Sequence, residues 1–304
     1  MKRDTFIKNG ILASAAIASG LYTDAISQSS TSEKPFRTKF SPEFDIFAKA
    51  GGKDPIDQIK WGHDQGFRAW ENTWLKSKTV QEQEKISNAI QKLGMEFGQF
   101  VGTITFKEVT FAGNNKELRD KVLSDVKESV EVAKRMNTKY VHNVLGLADP
   151  KMPKDFQMAN AIELLKQVAD IYEPHGIITV METMNSKVDH PGMFLHEIPQ
   201  AYMLAKAVGS PSVKILFDFY HVQIEEGNVL ALLDHAWDEI AYLQIGDAPG
   251  RYEPTTGEIN YVNVLRHVAD KGYKGFMGME HRIKRPGIEG ELAALKAYRA
   301  IDPI

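Results

Sequence analysis

Short apolar runs alternate with amphipathic stretches eight times between residues 39 and 302, and this alternation constrains the fold more than any other feature of the chain. The apolar runs are KFSPEFDIF (39–47), FRAWENTW (67–74), MEFGQFVGTI (95–104), KYVHNVLG (139–146), GIITVMETMN (176–185), SVKILFDFYH (212–221), IAYLQIGD (240–247) and GFMGMEHR (275–282). The stretches between them carry apolar residues at i, i+3 and i+4, the spacing of one helix face. Helices are therefore expected over 54–66, 79–94, 117–137, 161–176, 198–209, 228–240, 261–273 and 291–302. Several end at a glycine (Gly66, Gly94, Gly176, Gly209), where a left-handed C-cap carries no Cβ clash. Strand then helix, eight times, with no Pro-, Gly- or Ser-rich linker dividing the run, predicts one α/β domain, a single (β/α)8 TIM barrel over residues 31–304. An open doubly wound sheet is the alternative, but no strand is followed by GxGxxG or a Walker loop.

Composition narrows the partners. With 37 Lys+Arg against 40 Asp+Glu, the formal charge of −3 gives no extended basic footprint for nucleic acid. A small molecule is the expected partner, and self-association stays open. The absence of cysteine removes thiol nucleophiles, thiolate metal sites and disulfides together. GxSxG is missing as well, so no serine hydrolase is indicated.

The first thirty residues read separately. Lys2, Arg3 and Lys8 flank the start of a small-residue apolar run, Gly10 to Gly20, followed by a polar stretch, which is the layout of an export signal. The run is too short to span a bilayer, so no stable membrane span is expected. KRDTFIK resembles a twin-arginine signal with Asp4 where the second arginine belongs. The expected location is periplasmic or exported, with a cytoplasmic enzyme bearing an amphipathic tail as the alternative.

In a parallel barrel, chemistry gathers at the C-terminal ends of the strands. Glu182 ends IITVM, Asp218 ends VKILF, Gln244 ends IAYL and Glu280 ends FMGM, one oxygen-bearing side chain at each of the last four tips. Carboxylates crowded to ~4 Å repel by about 4 kcal/mol per pair at an effective dielectric near 20, so protons or a cation must be present. An all-oxygen set suits a hard divalent ion, Mg²⁺ or Mn²⁺, better than Zn²⁺. Such an ion, held by two substrate oxygens, would favour an enediolate, and flanking carboxylates would move the protons. Glu182 and Glu280 are the expected acid and base. Arg251, in the PGR turn, is placed to grip a substrate carboxylate. His190 in VDHPG, Glu71 at the end of FRAW and Asn185 after Glu182 are further candidates for the mouth. Met181, Met184, Met277 and Met279 read as core packing, and the basic run HRIKRPG (281–287) reads as a solvated face more than a phosphate cup.

The strings METMNSKVDHPGMF (181–194), KILFDFYHVQIEEGN (214–228), LQIGDAPGRYEPTTGEINY (243–261) and GYKGFMGME (272–280) resemble the hydroxypyruvate isomerase family of xylose-isomerase-like barrels. The resemblance implies that Glu182, Asp218, Gln244 and Glu280 hold the metal, that the two glutamates transfer protons, and that His221 contacts a substrate oxygen. The implied reaction is hydroxypyruvate to tartronate semialdehyde. Two rivals are a secreted ketose or keto-sugar 3-epimerase using the same metal, and a non-catalytic periplasmic metal- or sugar-binding barrel. A three-zinc endonuclease would need more histidines at the tips than His142, His190, His221 and His281.

Overall fold

The computed structural model describes residues 33–303, so the export-signal expectation for residues 1–30 lies outside the described residues. The elements run β1 (Lys39–Pro42), α1 (Pro55–Asp64), β2 (Ala69–Trp70), α2 (Val80–Lys92), β3 (Glu96–Phe97), β4 (Gln99–Thr103), α3 (Lys116–Met136), β5 (Tyr140–Asn143), α4 (Lys154–Tyr172), β6 (Ile178–Glu182), α5 (Ile198–Val208), β7 (Val213–Asp218), α6 (Phe219–Glu225), α7 (Val229–Ala236), β8 (Ile240–Ile245), α8 (Tyr261–Asp270), β9 (Phe276–Met279) and α9 (Gly287–Ile301). No helix among the described residues is long and apolar enough to cross a membrane.

Seven strands form one parallel sheet in the order β1-β9-β8-β7-β6-β5-β4, while β2 and β3 form a short parallel ladder. Backbone bonds tie that ladder in on both sides. Glu71 N–H donates to Pro42 O at 3.0 Å, Asn72 N–H to Gln99 O at 3.3 Å, and Val101 N–H to Thr73 O at 3.0 Å. β2 therefore lies between β1 and β4.

Local chemistry explains the element ends. Asp54 caps α1, accepting from Ile56 N–H, and Pro55 sits in the first turn where no N–H is missed. Thr79 and Glu82 cap α2 reciprocally. α3 buries Val122, Val126, Val130 and Ala133 along one stripe.

Three expected boundaries are corrected. The apolar run 212–221 is not all strand: it ends at Asp218, whose Oδ1 accepts from Tyr220 N–H at 2.9 Å and opens the short helix α6. α4 begins at Lys154, seven residues before the expected start, because KDFQMAN extends its buried stripe through Gln157 and Met158. α9 starts at Gly287, ahead of the expected 291.

The barrel interior is layered. Ala69, Tyr140, Val180, Leu216, Tyr242 and Phe276 pack together as one buried cluster, with the Tyr140 ring centroid 5.4 Å from Tyr242 and 5.6 Å from Phe276. Against it lies buried Glu71, which accepts from the Tyr242 hydroxyl and from Gln99 Nε2 at 3.3 Å. Two glycines make room. A Cβ on Gly98 would collide with the Tyr242 hydroxyl, and one on Gly278 would fall 2.6 Å from Glu71 Oε1. The four methionines expected in the core are all buried.

Candidate active site

The alternation of side chains along a strand aims the last residues of β6 and β7 into the mouth, and their tips are neighbours in the sheet. Glu182 ends β6, Asp218 ends β7, Gln244 lies opposite Asp218 on β8, and Glu280 follows β9 with its N–H donating to Ile245 O at 3.1 Å. The three carboxylates converge on one atom. Arg251 Nη2 lies 2.8 Å from Glu280 Oε1, 3.0 Å from Asp218 Oδ2 and 4.0 Å from Glu182 Oε1. The counter-charge expected from the crowding thus comes, in this structure, from the chain itself. Arg251, expected to face a substrate carboxylate, is engaged with protein carboxylates, its guanidinium 5.2 Å over the Tyr220 ring.

Asp247 explains how a loop arginine is aimed so closely. Buried beyond the end of β8, its carboxylate accepts from the N–H groups of Thr256 (3.1 Å), Gly257 (2.8 Å) and Ile259 (3.1 Å), and its own N–H donates to Tyr252 O at 2.8 Å. The irregular stretch PGRYEPTTGEINY is folded around that one side chain. Arg251 takes φ 52°, a left-handed conformation held by the backbone bond from Arg282 N–H to Arg251 O at 2.9 Å. The basic run after β9 braces the same loop: Arg282 Nη2 donates to Gly250 O, and Lys284 N–H to Glu253 Oε2. The run is otherwise the solvated face expected of it, with Arg282, Lys284, Arg285, Pro286 and Gly287 exposed and His281 buried.

Two histidines flank Glu182. His142 Nε2 is 2.8 Å from Glu182 Oε2, and His221 Nε2 is 3.4 Å from Glu182 Oε1 and 3.7 Å from Asp218 Oδ2. Burial alone would raise the Glu182 pKa, but His142, His221 and Arg251 more than reverse it, down to about 2. Burial pushes Asp218 well above the usual carboxylate range against the pull of Arg251, and pushes Glu280 up too. Burial and then Arg251 hold the His221 imidazole down at about 3, so the ring is neutral. Burial lowers His142, and Glu182 reverses this to a raised value.

Of the remaining candidates, His190 reaches the mouth, its ring 5.5 Å from His221 and stacked on Phe106 at 4.9 Å. Asp189, His190, Tyr220, Arg251, Glu280 and Arg282 are among the residues lining a cavity of about 460 Å³ there. Asn185 is buried and contacts His221 Nδ1. Glu71 lies beside Gly278, deeper than the mouth, where burial raises its pKa to about 7. His281 turns away to the Tyr298 hydroxyl at 2.7 Å. His142 was expected near a tip but given no role, and Asp189, Tyr220 and Asp247 were not singled out from sequence; for His142, Tyr220 and Asp247 the signal was a polar residue inside or just beyond an apolar strand.

The donor set fits a divalent cation. Buried Glu182 Oε1, both amide atoms of Gln244, Glu280 Oε2 and His221 Nε2 have no hydrogen-bond partner among the described residues, although buried polar atoms are normally paired. Ligand atoms of Glu182, Asp218 and His221 all lie within 4.8 Å of one another. That trio differs from the expected four by including His221.

The chain matches the xylose isomerase-like TIM barrel family over residues 59–301. It is 31% identical over 157 residues to the 2-oxo-tetronate isomerase of Pectobacterium atrosepticum, covering 52% of this chain and 60% of that protein. It is 31% identical over 170 residues to the hydroxypyruvate isomerase of Escherichia coli, covering 56% and 64%. These two matches therefore span less than two thirds of each relative. A Homo sapiens protein provisionally named as a hydroxypyruvate isomerase is 28% identical over 259 residues, 79% of this chain and 88% of that one. A Brucella melitensis structure described as an AP endonuclease of family 2 superposes with a TM-score of 0.74 at 22% identity, over 86% of this chain and 99% of that one, a likeness of fold alone. From the matched span and the strand-tip architecture together, the chain belongs to the xylose isomerase-like TIM barrel family.

Proposed function

We propose that this chain is a divalent-cation-dependent isomerase converting hydroxypyruvate to tartronate semialdehyde. The observation that carries the reading is the convergence of Glu182, Asp218 and Glu280 on a single cationic nitrogen at the barrel mouth. The isomerase names of the relatives support the reaction class. Closure of the barrel by eight strands, with Ala69–Trp70 as the eighth, and export of the chain belong to the same proposal.

Glu182, Asp218, Gln244 and Glu280 would hold the cation. Bound there, Mg²⁺ or Mn²⁺ would polarise the substrate carbonyl and ease loss of the neighbouring proton. The reaction removes a proton from the hydroxymethyl carbon, adds one to the keto carbon, and moves the hydroxyl hydrogen to the former keto oxygen, through an enediolate. Two carboxyl groups with opposed proton affinities suit this. Glu182 is held anionic by His142, His221 and Arg251, whereas Glu280 is shifted toward its protonated form by burial. His221 Nε2 and Arg251 face the same space and would orient the substrate oxygens.

The test is conversion of hydroxypyruvate in D₂O, followed by NMR, with EDTA-treated protein before and after adding Mg²⁺ or Mn²⁺. Turnover with deuterium entering carbon only after metal addition is expected, and E182Q and E280Q should each lower it by about 10²–10⁴-fold. Faster turnover of neutral ketoses than of hydroxypyruvate overturns the substrate in favour of an epimerase. Undiminished turnover by either variant overturns the proton-transfer roles.

A further inference from the structure

Asn185 is fully enclosed, and all four of its side-chain hydrogen-bonding positions are occupied. Its Oδ1 accepts from the backbone N–H groups of Val188 (3.1 Å) and Asp189 (3.0 Å). Those groups only donate, so the amide orientation is fixed and Nδ2 faces the other way. There Nδ2 donates to Asp189 Oδ2 at 2.8 Å, an oxygen that also accepts from the Tyr220 hydroxyl at 2.7 Å. The second Nδ2 hydrogen meets His221 Nδ1 at 2.6 Å, and the backbone N–H of Asn185 reaches the same ring atom at 3.2 Å. Two donors converge on Nδ1, which must offer a lone pair. A neutral imidazole with its lone pair there carries its proton on Nε2.

Nε2 is the atom that faces Glu182 and Asp218. Had it carried the lone pair, His221 would complete the trio of potential ligands and add nitrogen to the donor set. Imidazole nitrogen favours zinc and its neighbours, whereas oxygen alone favours Mg²⁺ and Mn²⁺.

We propose that Asn185 is a positioning residue that locks His221 in the Nε2–H tautomer, which withholds the imidazole from the metal and makes it a hydrogen-bond donor to a substrate oxygen. The substrate part rests on the isomerase reading; the tautomer is a property of the chain by itself and is measured without substrate or turnover.

The experiment is long-range ¹H–¹⁵N NMR of the histidine rings in uniformly ¹⁵N-labelled protein, with His221 assigned by its loss in H221Q. The expected result is a proton on Nε2 and none on Nδ1, unchanged when Mg²⁺ is added. A proton on Nδ1, or loss of the Nε2 proton on adding Mg²⁺, overturns the proposal. The paired exchange N185D/D189N keeps a bond between those two side chains while turning the atom that faces Nδ1 into an acceptor. It should move the proton to Nδ1 and strengthen Zn²⁺ binding relative to Mg²⁺, read by calorimetry, by about tenfold or more. An unmoved proton overturns the role of the Asn185 side chain and leaves its backbone N–H as the donor that fixes the ring, and a moved proton with unchanged zinc affinity overturns the exclusion of His221 from the metal. If the tautomer is as stated but hydroxypyruvate is not turned over, the isomerase reading fails and the lock stands.

Discussion

Replacing Arg251 by methionine removes the positive charge on which three carboxylates converge while keeping an unbranched side chain of comparable reach. At 2.8 and 3.0 Å, and an effective dielectric near 20, the gross attractions to Glu280 and Asp218 are each about 5–6 kcal/mol, and at 4.0 Å that to Glu182 is about 4 kcal/mol. Desolvation offsets most of this, and breaking a buried pair by removing one partner costs a net of about 3–5 kcal/mol. For a barrel of this size that corresponds to a melting temperature lower by roughly 10 °C. The loss depends on pH in a defined direction. Asp218 and Glu280 already have raised pKa values, and without Arg251 they rise further, so the folded state binds protons that the unfolded chain releases. The stability of R251M is therefore retained near the unfolded carboxylate pKa and falls as pH rises toward 8. Thermal melts by circular dichroism in EDTA at pH 5, 6.5 and 8 should show the gap from the native protein widening, and Mg²⁺ or Mn²⁺ should close most of it. A variant that melts within about 2 °C of the native protein at pH 8 in EDTA would refute the assignment of Arg251 as the charge that holds the cluster together.

Glu71, with a pKa raised to about 7 by burial, gives the native protein stability that is present below about 4.5 and lost as pH rises through 7. E71Q should melt close to the native protein at pH 5 and above it at pH 8; equal curves at both values would show that Glu71 is ionised throughout. G62A places a methyl group into the Trp70 ring and should cost about 1–3 kcal/mol in urea unfolding, whereas an increase, as helix propensity alone predicts, would mean that α1 shifts freely off β2. D247A removes the acceptor of three loop N–H groups, so limited proteolysis should cut within residues 249–259 and divalent-metal affinity should change with it; an uncut loop would show that the braces from Arg282 and Lys284 suffice.

The strand and helix order was legible because period and length separate the two kinds of run, and each expected strand run contains a strand in place. α6 was hidden because FYHVQIE continues the apolar run of β7, and Asp218 serves both as the strand's last residue and as the helix cap. The tip residues Glu182, Asp218, Gln244 and Glu280 were readable from a polar side chain following an apolar strand. Their partners were not. That His142 meets Glu182 requires the register of β5 on β6, and that Arg251 reaches three carboxylates requires the loop conformation set by Asp247, neither of which is written in local sequence. Asn185 could be placed near the mouth by counting from Glu182, but its amide acts through contacts with residues 36 positions away.

The glycines facing Glu71 bear on how such a barrel can change. Because Gly278 and Gly98 yield their volume to a carboxyl and a phenol from other strands, the floor beneath the reacting groups is shared out between positions distant in the chain. A bulkier residue at 278 would press on the Glu71 carboxyl and the Gln244 side chain, which must move or shrink to admit it, and a smaller residue at 71 would leave space beside 278. Space at this depth is thus shared by a pair of sites, and a redesign of the floor would have to alter both together.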